Sequence, residues 1–438
     1  MVLEAFQNHI NEKLAFLTES KLLIAISGGI DSVVLTHLCA QSHLNFSLAH
    51  CNFNLRGDES DADEIFITDL ADLLDKEVFI QHFDTTAYAE EHKCSIQMAA
   101  RELRYNWFTE LAEQLNFDYV LTAHHADDNL ETFLINFTRG TGLEGLTGIP
   151  VVNGLFVRPL LPFSNETIKV FAEENRIKWR EDSSNASIKY LRNKLRHEVI
   201  PILKTINPNL LQSFQSTLDN LNDTADIVEE SVQAVLNRAI VNIDSKKVIY
   251  DISEFNKLNN PKAYLFEIFK DYGFKEWDDV LNLLEAQPGK FVHSDSHRLI
   301  KDREHLILTD AEPLIFEPKK IPDLNDPVET PLGSLVFTEV DVVFNDASTS
   351  IFVDKDKLQF PLILRIRKEG DVIFPSGMSG KKTLSKYFKD EKFSLLDKEN
   401  ALLLCSSEAI VWILGKRADD RFKVDSNTKK IIKIELIS

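Results

Sequence analysis

Six consecutive residues, Ser27-Gly28-Gly29-Ile30-Asp31-Ser32, hold the densest chemistry in the chain. They follow an apolar run, Leu22-Leu23-Ile24-Ala25-Ile26, and precede Val33-Val34-Leu35-Thr36-His37-Leu38, a pattern that reads as strand, tight loop and helix. Paired glycines let the backbone turn sharply and approach a ligand closely, while the helix that follows aims its unpaired N–H groups and positive dipole end at the loop. An anion fits there. The stretch lacks the lysine and spacing of a Walker A loop, and Asp31 would repel phosphate oxygens unless a cation stood between them. ATP with Mg2+ is therefore the natural ligand, with Ser27, Gly28, Gly29, Ile30, Asp31 and Ser32 around the phosphates and Asp31 as the metal-side carboxylate. A plain strand-to-helix turn capped by Ser27 or Ser32 remains the competing account of the glycine pair alone.

A second cluster lies at His124-His125-Ala126-Asp127-Asp128-Asn129-Leu130-Glu131-Thr132, after the short apolar run Tyr119 to Ala123. On a helix starting near Asp127, Asp128 and Glu131 share a face, so their carboxylates converge on one cation, magnesium or a substrate ammonium. Helix capping alone would also place acids there. His124 and His125 point in different directions whether the segment is strand or helix, which argues against a two-histidine chelate. Arg101 and Arg104 share a helix face, and Arg139 to Gly148 is a glycine-rich loop expected to be mobile and near the nucleotide. Basic residues at helical spacing from Tyr190 to Arg196, with Trp179 and Tyr190 nearby, combine charge with stacking surface suited to nucleic acid, against the plainer reading of a solvated helix face.

These clusters need a scaffold. Strands at Leu22–Ile26 and Leu44–His50 with a helix between them form a βαβ unit, and ligands in such sheets sit at the carboxyl ends of strands, where Ser27 and His50 fall. Further helices are expected over Asp58–Leu74 and Tyr88–Leu115, and strands at Val78–Ile80 and Tyr119–Ala123. The expected fold class is α/β, a doubly wound parallel sheet, followed by a helical middle domain and a small mixed α+β C-terminal domain. Boundaries are expected at 1–208 for the catalytic domain, 209–310 for the helical substrate-binding domain, 311–360 for a β-rich connecting segment and 361–438 for the last domain.

A chain of 438 residues is too long for one ordinary core, and its hydrophobic content of 44% is that of a soluble globular protein. No apolar run approaches a membrane span, Met1 to Leu17 does not read as a secretory leader, and a cytoplasmic location follows. Cys39, Cys51, Cys94 and Cys405 show no C-x-x-C pairing, so neither a disulfide framework nor a zinc or iron–sulfur site is indicated. The net charge of −20 disfavours polyanions, yet it is uneven. Residues 361–438 carry 16 Lys and Arg against 11 Asp and Glu, and residues 176–204 carry eight against three. Two basic islands on an acidic body suit local binding of a nucleic acid.

The S-G-G-I-D-S string resembles the signature of the PP-loop ATP pyrophosphatases, which cleave ATP between its α and β phosphates and adenylate a substrate oxygen. The ordered set of that string, His50-Cys51-Asn52, Arg101-Glu102-Leu103-Arg104-Tyr105, H-H-A-D-D-N-L-E-T, Arg139-Gly140, Arg158-Pro159-Leu160, E-D-S-S-N at 181–185 and Arg192-Asn193 narrows the resemblance to the tRNA(Ile)-lysidine synthetase family over roughly the first 205 residues. His50-Cys51-Asn52-Phe53 departs from the many members with a further histidine, so no role of that histidine carries over.

The resemblance implies adenylation of C2 of the wobble cytidine in tRNA(Ile) with a CAU anticodon, and displacement of AMP by the amine of L-lysine. It implies catalytic roles for Asp31, Arg104, Asp128 and Glu131, with Asp128 and Glu131 on lysine and Arg104 on substrate or adenylate. It implies substrate-binding roles for His50, Arg192 and Asn193, and a C-terminal domain that engages the acceptor end of the tRNA. There Lys381, Lys382, Lys386 and Arg417, crowded with Tyr387 and Trp412, are the candidate contacts, the alternative being a solvated surface. No membrane partner is expected, and a homodimer is compatible. The competing functions are another PP-loop tRNA modification such as thiolation, and a nucleotide-dependent tRNA-binding protein without catalysis.

Overall fold

Leu22, Leu23, Ile24, Leu48, Ala49, Val120 and Leu121 are all fully buried, because the strands that carry them are covered on both faces. The computed structural model describes residues 2–181, 191–312, 316–343, 349–378 and 380–437, and the chain divides into two units, Met1–Val228 and Glu229–Ser438. Residues 182–185 and Tyr190, which the motif reading used, lie outside the described residues.

The first unit begins with α1 (Val2–Lys13), β1 (Leu22–Ala25), α2 (Ile30–Gln41), β2 (Phe46–Asn52), α3 (Asp58–Leu74) and β3 (Val78–His82). It continues through α4 (Thr85–Glu91), α5 (Ile96–Leu115), β4 (Tyr119–Leu121), α6 (Ala126–Arg139), α7 (Leu143–Leu146), β5 (Val152–Asn153), β6 (Phe156–Val157), α8 (Asn165–Glu174), α9 (Leu191–Lys194) and α10 (Ile200–Ile206). The strands form one six-stranded sheet in the order β3-β2-β1-β4-β6-β5. All its pairings are parallel except β5 against β6. This is the expected doubly wound sheet, and its order reverses between β1 and β4, the crevice where such sheets bind ligands.

Where one helix was expected over Tyr88–Leu115 there are two. Lys93 adopts φ +52°, and Ser95 caps α5 by accepting from the Met98 amide at 3.2 Å. The cap chemistry of Ser95 outweighs the helical period that runs through it. Beyond the sheet, Leu130 of α6 packs with Ile200, Phe214 and Leu218, which fixes α10 and the start of α11 (Leu210–Ala239) against α6.

The second unit takes the end of α11 and adds β7 (Ile240–Asp244), β8 (Lys247–Asp251), α12 (Ile252–Asn256), α13 (Pro261–Phe269), α14 (Trp277–Asn282), β9 (Phe291–His293), β10 (His297–Asp302) and β11 (His305–Asp310). The helical region is present, and a five-stranded sheet, β7-β8-β11-β10-β9, accompanies it. The β7–β8 hairpin had merged with its helical neighbours in the sequence pattern. Its strands are five residues each, too short for periodicity to separate them from flanking helices.

The strands β12 (Lys319–Ile321), β13 (Val328–Thr330), β14 (Gly333–Val340) and β15 (Ser350–Asp354) precede β16 (Leu362–Ile366), β17 (Val372–Ile373), β18 (Lys382–Thr383), α15 (Leu384–Asp390), α16 (Leu395–Glu399), β19 (Leu402–Ser406), β20 (Ala409–Ile413) and β21 (Ile431–Ile437). They build two four-stranded sheets, β12-β16-β19-β20 and β13-β14-β21-β15. A division at 361 would pass between strands of both sheets, and we propose that the segment expected as a connector folds as one body with the last domain.

Candidate active site at the sheet switch point

The loop after β1 is held open by its own serines. Ser32 Oγ donates to the Gly29 carbonyl at 3.0 Å, the Ser27 amide donates to Ser32 Oγ at 3.2 Å, and the two serine hydroxyls are 3.3 Å apart. Gly28 adopts φ +83°, a conformation that side chains strain to reach, and its carbonyl accepts from the Arg180 amide at 3.0 Å. Gly29 is the N-cap of α2 and offers no side-chain cap, which leaves the first amides of a 12-residue helix without the usual side-chain acceptor. The helix terminus is thus built for an anion supplied from outside.

Asp31 stands in the first turn of that helix. Burial pushes its carboxyl up, Asp128 adds to the rise, and His125 and Arg196 oppose it. Its Oδ1 accepts from Asn165 Nδ2 at 3.5 Å, and the side chain retains 32% exposure. A desolvated hard-oxygen donor of this kind fits magnesium, which binds through one or two carboxylates together with phosphate oxygens and water.

Opposite lies the start of α6, where His125 and Asp128 make a reciprocal cap. His125 Nδ1 accepts from the Asp128 amide at 3.4 Å while Asp128 Oδ2 accepts from the His125 amide at 3.1 Å. An accepting Nδ1 puts the neutral ring's proton on Nε2. That nitrogen is 3.4 Å from Asp128 Oδ2 and 3.7 Å from Asp31 Oδ2, so His125 joins the two acids. Asp127 turns away, where Lys204 Nζ donates at 2.6 Å and the Asn165 amide at 2.9 Å. Burial alone would raise the Asp127 pKa, and those two donors lower it below the ordinary value.

Asp128 and Glu131 do share a face, and a guanidinium sits on it. Arg196 Nε donates to Glu131 Oε1 at 2.5 Å, and Arg196 Nη2 donates to Glu131 Oε2 at 3.0 Å and to Asp128 Oδ1 at 3.2 Å. Arg192 adds Nε at 3.6 Å from Glu131 Oε2 and donates from Nη2 to Thr132 Oγ1 at 2.9 Å. The Glu131 side chain is 1% exposed, and burial raises its pKa despite both arginines. Arg104, by contrast, is exposed on α5 and lies 5.2 Å over the Phe53 ring. The guanidinium paired with Asp128 and Glu131 is that of Arg196. The sequence reads Arg196 only as part of a basic stretch suited to nucleic acid; its pairing with these acids joins residues 65 apart in the chain.

His50 is buried at the carboxyl end of β2, and its Nδ1 donates to the Ile26 carbonyl at 3.0 Å. Burial lowers its pKa, which keeps the ring neutral. Asn193 is half-buried on α9. The glycine-rich loop is tethered: Asn136 Nδ2 donates to the Gly145 carbonyl at 2.9 Å, the Ile149 amide donates to Asn129 Oδ1 at 2.7 Å, and α7 forms inside it.

Three family models match the chain: PP-loop domain over residues 2–203, TilS substrate binding domain over 243–313 and TilS substrate C-terminal domain over 362–436. The tRNA(Ile)-lysidine synthase of Parabacteroides distasonis is 39% identical, with 97% of this chain and 98% of that one aligned. The chain belongs to the tRNA(Ile)-lysidine synthase family. The tRNA(Ile)-lysidine synthase of Bacteroides thetaiotaomicron is 37% identical over the full length of both chains.

In this member of the tRNA(Ile)-lysidine synthase family, the candidate C-terminal contacts have unequal surroundings. Lys381 and Lys386 are exposed. Lys382 Nζ donates to Asp390 Oδ2 at 2.7 Å, and Arg417 Nη2 lies 4.0 Å from Glu391. Tyr387 and Trp412 are core residues, 2% and 0% exposed, so neither offers a stacking face to a base. Their ring area is more stabilising inside a small domain than on its surface. Trp179 likewise packs partly buried against the main core.

Proposed function

We propose that this chain is the ligase that makes lysidine at the wobble cytidine of tRNA(Ile) bearing a CAU anticodon, with ATP and L-lysine as co-substrates. The cytidine C2 oxygen attacks the α-phosphorus and pyrophosphate leaves; the lysine amine then attacks C2, and the oxygen departs with AMP. The observation that carries this reading is the uncapped α2 terminus with Asp31, facing the Asp128–Glu131 pair across His125. One end suits phosphates and the other a cationic amine, at the sheet crevice.

Within that reading the amides and hydroxyls of Ser27 to Ser32 bind the phosphates, and Asp31 would hold Mg2+, whose charge offsets phosphate repulsion. Asp128 and Glu131 receive the lysine ammonium. Arg104, exposed at the rim, takes substrate or adenylate, and His50 orders the β1–β2 ends from beneath. The tRNA is met by the C-terminal lysines and Arg417, and the reaction is placed in the cytoplasm. A homodimer remains part of the proposal. Among the described residues no helix is long and apolar enough to cross a membrane.

Thiolation is the less favoured alternative. Cys51, beside the β2 end, is buried, and burial pushes its thiol up to about 12, the opposite of what a sulfur nucleophile needs. The test is pyrophosphate release from ATP in the presence of lysine and the CAU tRNA. We expect tRNA-dependent release that Asp31→Asn reduces at least about a hundredfold, the scale of losing a key electrostatic group. Full release by Asp31→Asn at ordinary magnesium would contradict the assignment.

A further inference from the structure

The acceptor oxygens around Asp128 and Glu131 are already occupied. Both Glu131 oxygens accept from Arg196, at 2.5 and 3.0 Å, and Arg192 lies 3.6 Å from the second. Asp128 Oδ1 accepts from Arg196 at 3.2 Å and Oδ2 from the His125 amide at 3.1 Å. Glu131 is 1% exposed on its side chain, so an incoming ammonium meets a carboxylate whose outward side is covered by a guanidinium.

We propose that Arg196 is an internal occupant of the lysine-amine seat, released when lysine enters, so that Arg196 sets which amines gain access. This rests on the reading of Asp128 and Glu131 as the lysine site.

Three features support an exchange over a permanent pair. A carboxylate as buried as Glu131 is costly without a cation, so the guanidinium leaves only when another cation arrives. The arriving group must therefore be charged and long enough to reach past the rim, which an aminoalkyl side chain is and a neutral or short one is not. Arg196 itself remains 35% exposed and Arg192 46%, so both have solvent to swing into, unlike the acids they cover. Finally, Arg196 stands on the wide π-type turn Leu195–Val199 between α9 and α10. Such turns hold one residue more than an α-helical turn and recur at functional sites. Ile200, directly after that turn, packs in the Leu130 cluster.

The energetic consequence is a conformational tax. Lysine affinity in the intact chain is reduced by the fraction of molecules in which the seat is open. If that fraction is about one in ten, removal of the occupant tightens lysine binding about tenfold.

Equilibrium dialysis of radiolabelled L-lysine against the full-length chain tests this with Arg196→Gln and Glu131→Gln, each checked for an intact melting transition. The expected result is lysine binding about tenfold tighter in Arg196→Gln and about tenfold weaker in Glu131→Gln. Free guanidinium ion should also return Arg196→Gln to the weaker wild-type affinity by refilling the seat. Unchanged or weaker binding in Arg196→Gln, with binding still weakened in Glu131→Gln, would overturn the inference and leave the lysine site standing. Unchanged binding in Glu131→Gln would instead remove the lysine site and the inference together. Should Arg196→Gln fail to fold, Arg196→Lys replaces it, since it keeps a cation but not the two-pronged grip; it must then bind lysine more tightly than the wild type, and equal affinity would count against the proposal.

Discussion

Glu131 is a buried carboxylate held by two guanidinium groups, so neutralising it is felt by whatever cation it serves. Glu131→Gln keeps the volume and should raise the lysine KM about tenfold, the scale of one charge-assisted hydrogen bond, while ATP affinity stays near normal. An unchanged lysine KM in steady-state assays would take lysine away from this face. His124 offers a different test, because burial pushes its pKa down from 6.5 to about 4. As pH falls, the unfolded chain takes up the proton first, near 6.5, and folded His124 follows only near 4. Stability should therefore fall as pH drops through that window and lose nothing further from this group below it. Melting temperatures measured across the window should decline less steeply for His124→Asn than for the wild type, and parallel curves would contradict the assignment. Asp128 and Glu131 were legible as carboxylates at helical spacing, and Asp31 as the acid of the glycine loop. Arg196 was not, because its partner lies 65 residues earlier in the chain and only folding joins them.

At the scale of elements, the glycine-rich loop is positioned by α6. Gly148 adopts φ +81°, and a Cβ there would lie 2.5 Å from Asn129 Oδ1, the acceptor of the Ile149 amide. Gly148→Ala should destabilise the protein by about 1–3 kcal/mol through backbone strain and loss of that bond. Calorimetry would register a lower melting temperature, and an unchanged transition would mean that the loop is not tied to α6 as described. The long elements of the first unit were legible because each has either a continuous apolar run or a clear amphipathic period: β1, α2, α3 and β4 lie where the sequence pattern puts them. Failures fall where local chemistry overrides period. Ser95 splits α4 from α5, and a hairpin of two five-residue strands hides behind α11. The segment 311–360 was legible as β-rich, whereas the pairing of its strands with β16 and β21 depends on long-range contacts that periodicity does not encode.

At the scale of the whole molecule, the net charge of −20 makes tRNA binding a matter of where positive charge is left over. The first basic island is partly consumed inside the protein, since Arg192 and Arg196 lie on Glu131 and Lys204 on Asp127. The second retains exposed Lys381 and Lys386. Changing Lys381, Lys382 and Lys386 together to Ala should weaken tRNA binding and flatten the dependence of log affinity on log salt by about 0.7–0.9 for each phosphate no longer neutralised. The smaller share should fall to Lys382, which Asp390 already engages. Adenylation at saturating tRNA should remain near normal, and an unchanged slope would place the tRNA elsewhere. The central claim, ligation of lysine to the wobble cytidine, is tested most directly by mass spectrometry of that nucleoside after incubation of the CAU tRNA(Ile) with the protein, ATP and L-lysine. The account predicts a cytidine carrying lysine in place of its C2 oxygen, formed only when lysine and ATP are both present and abolished by Asp31→Asn. An unmodified cytidine, or a sulfur adduct when a sulfur donor is supplied, would contradict it.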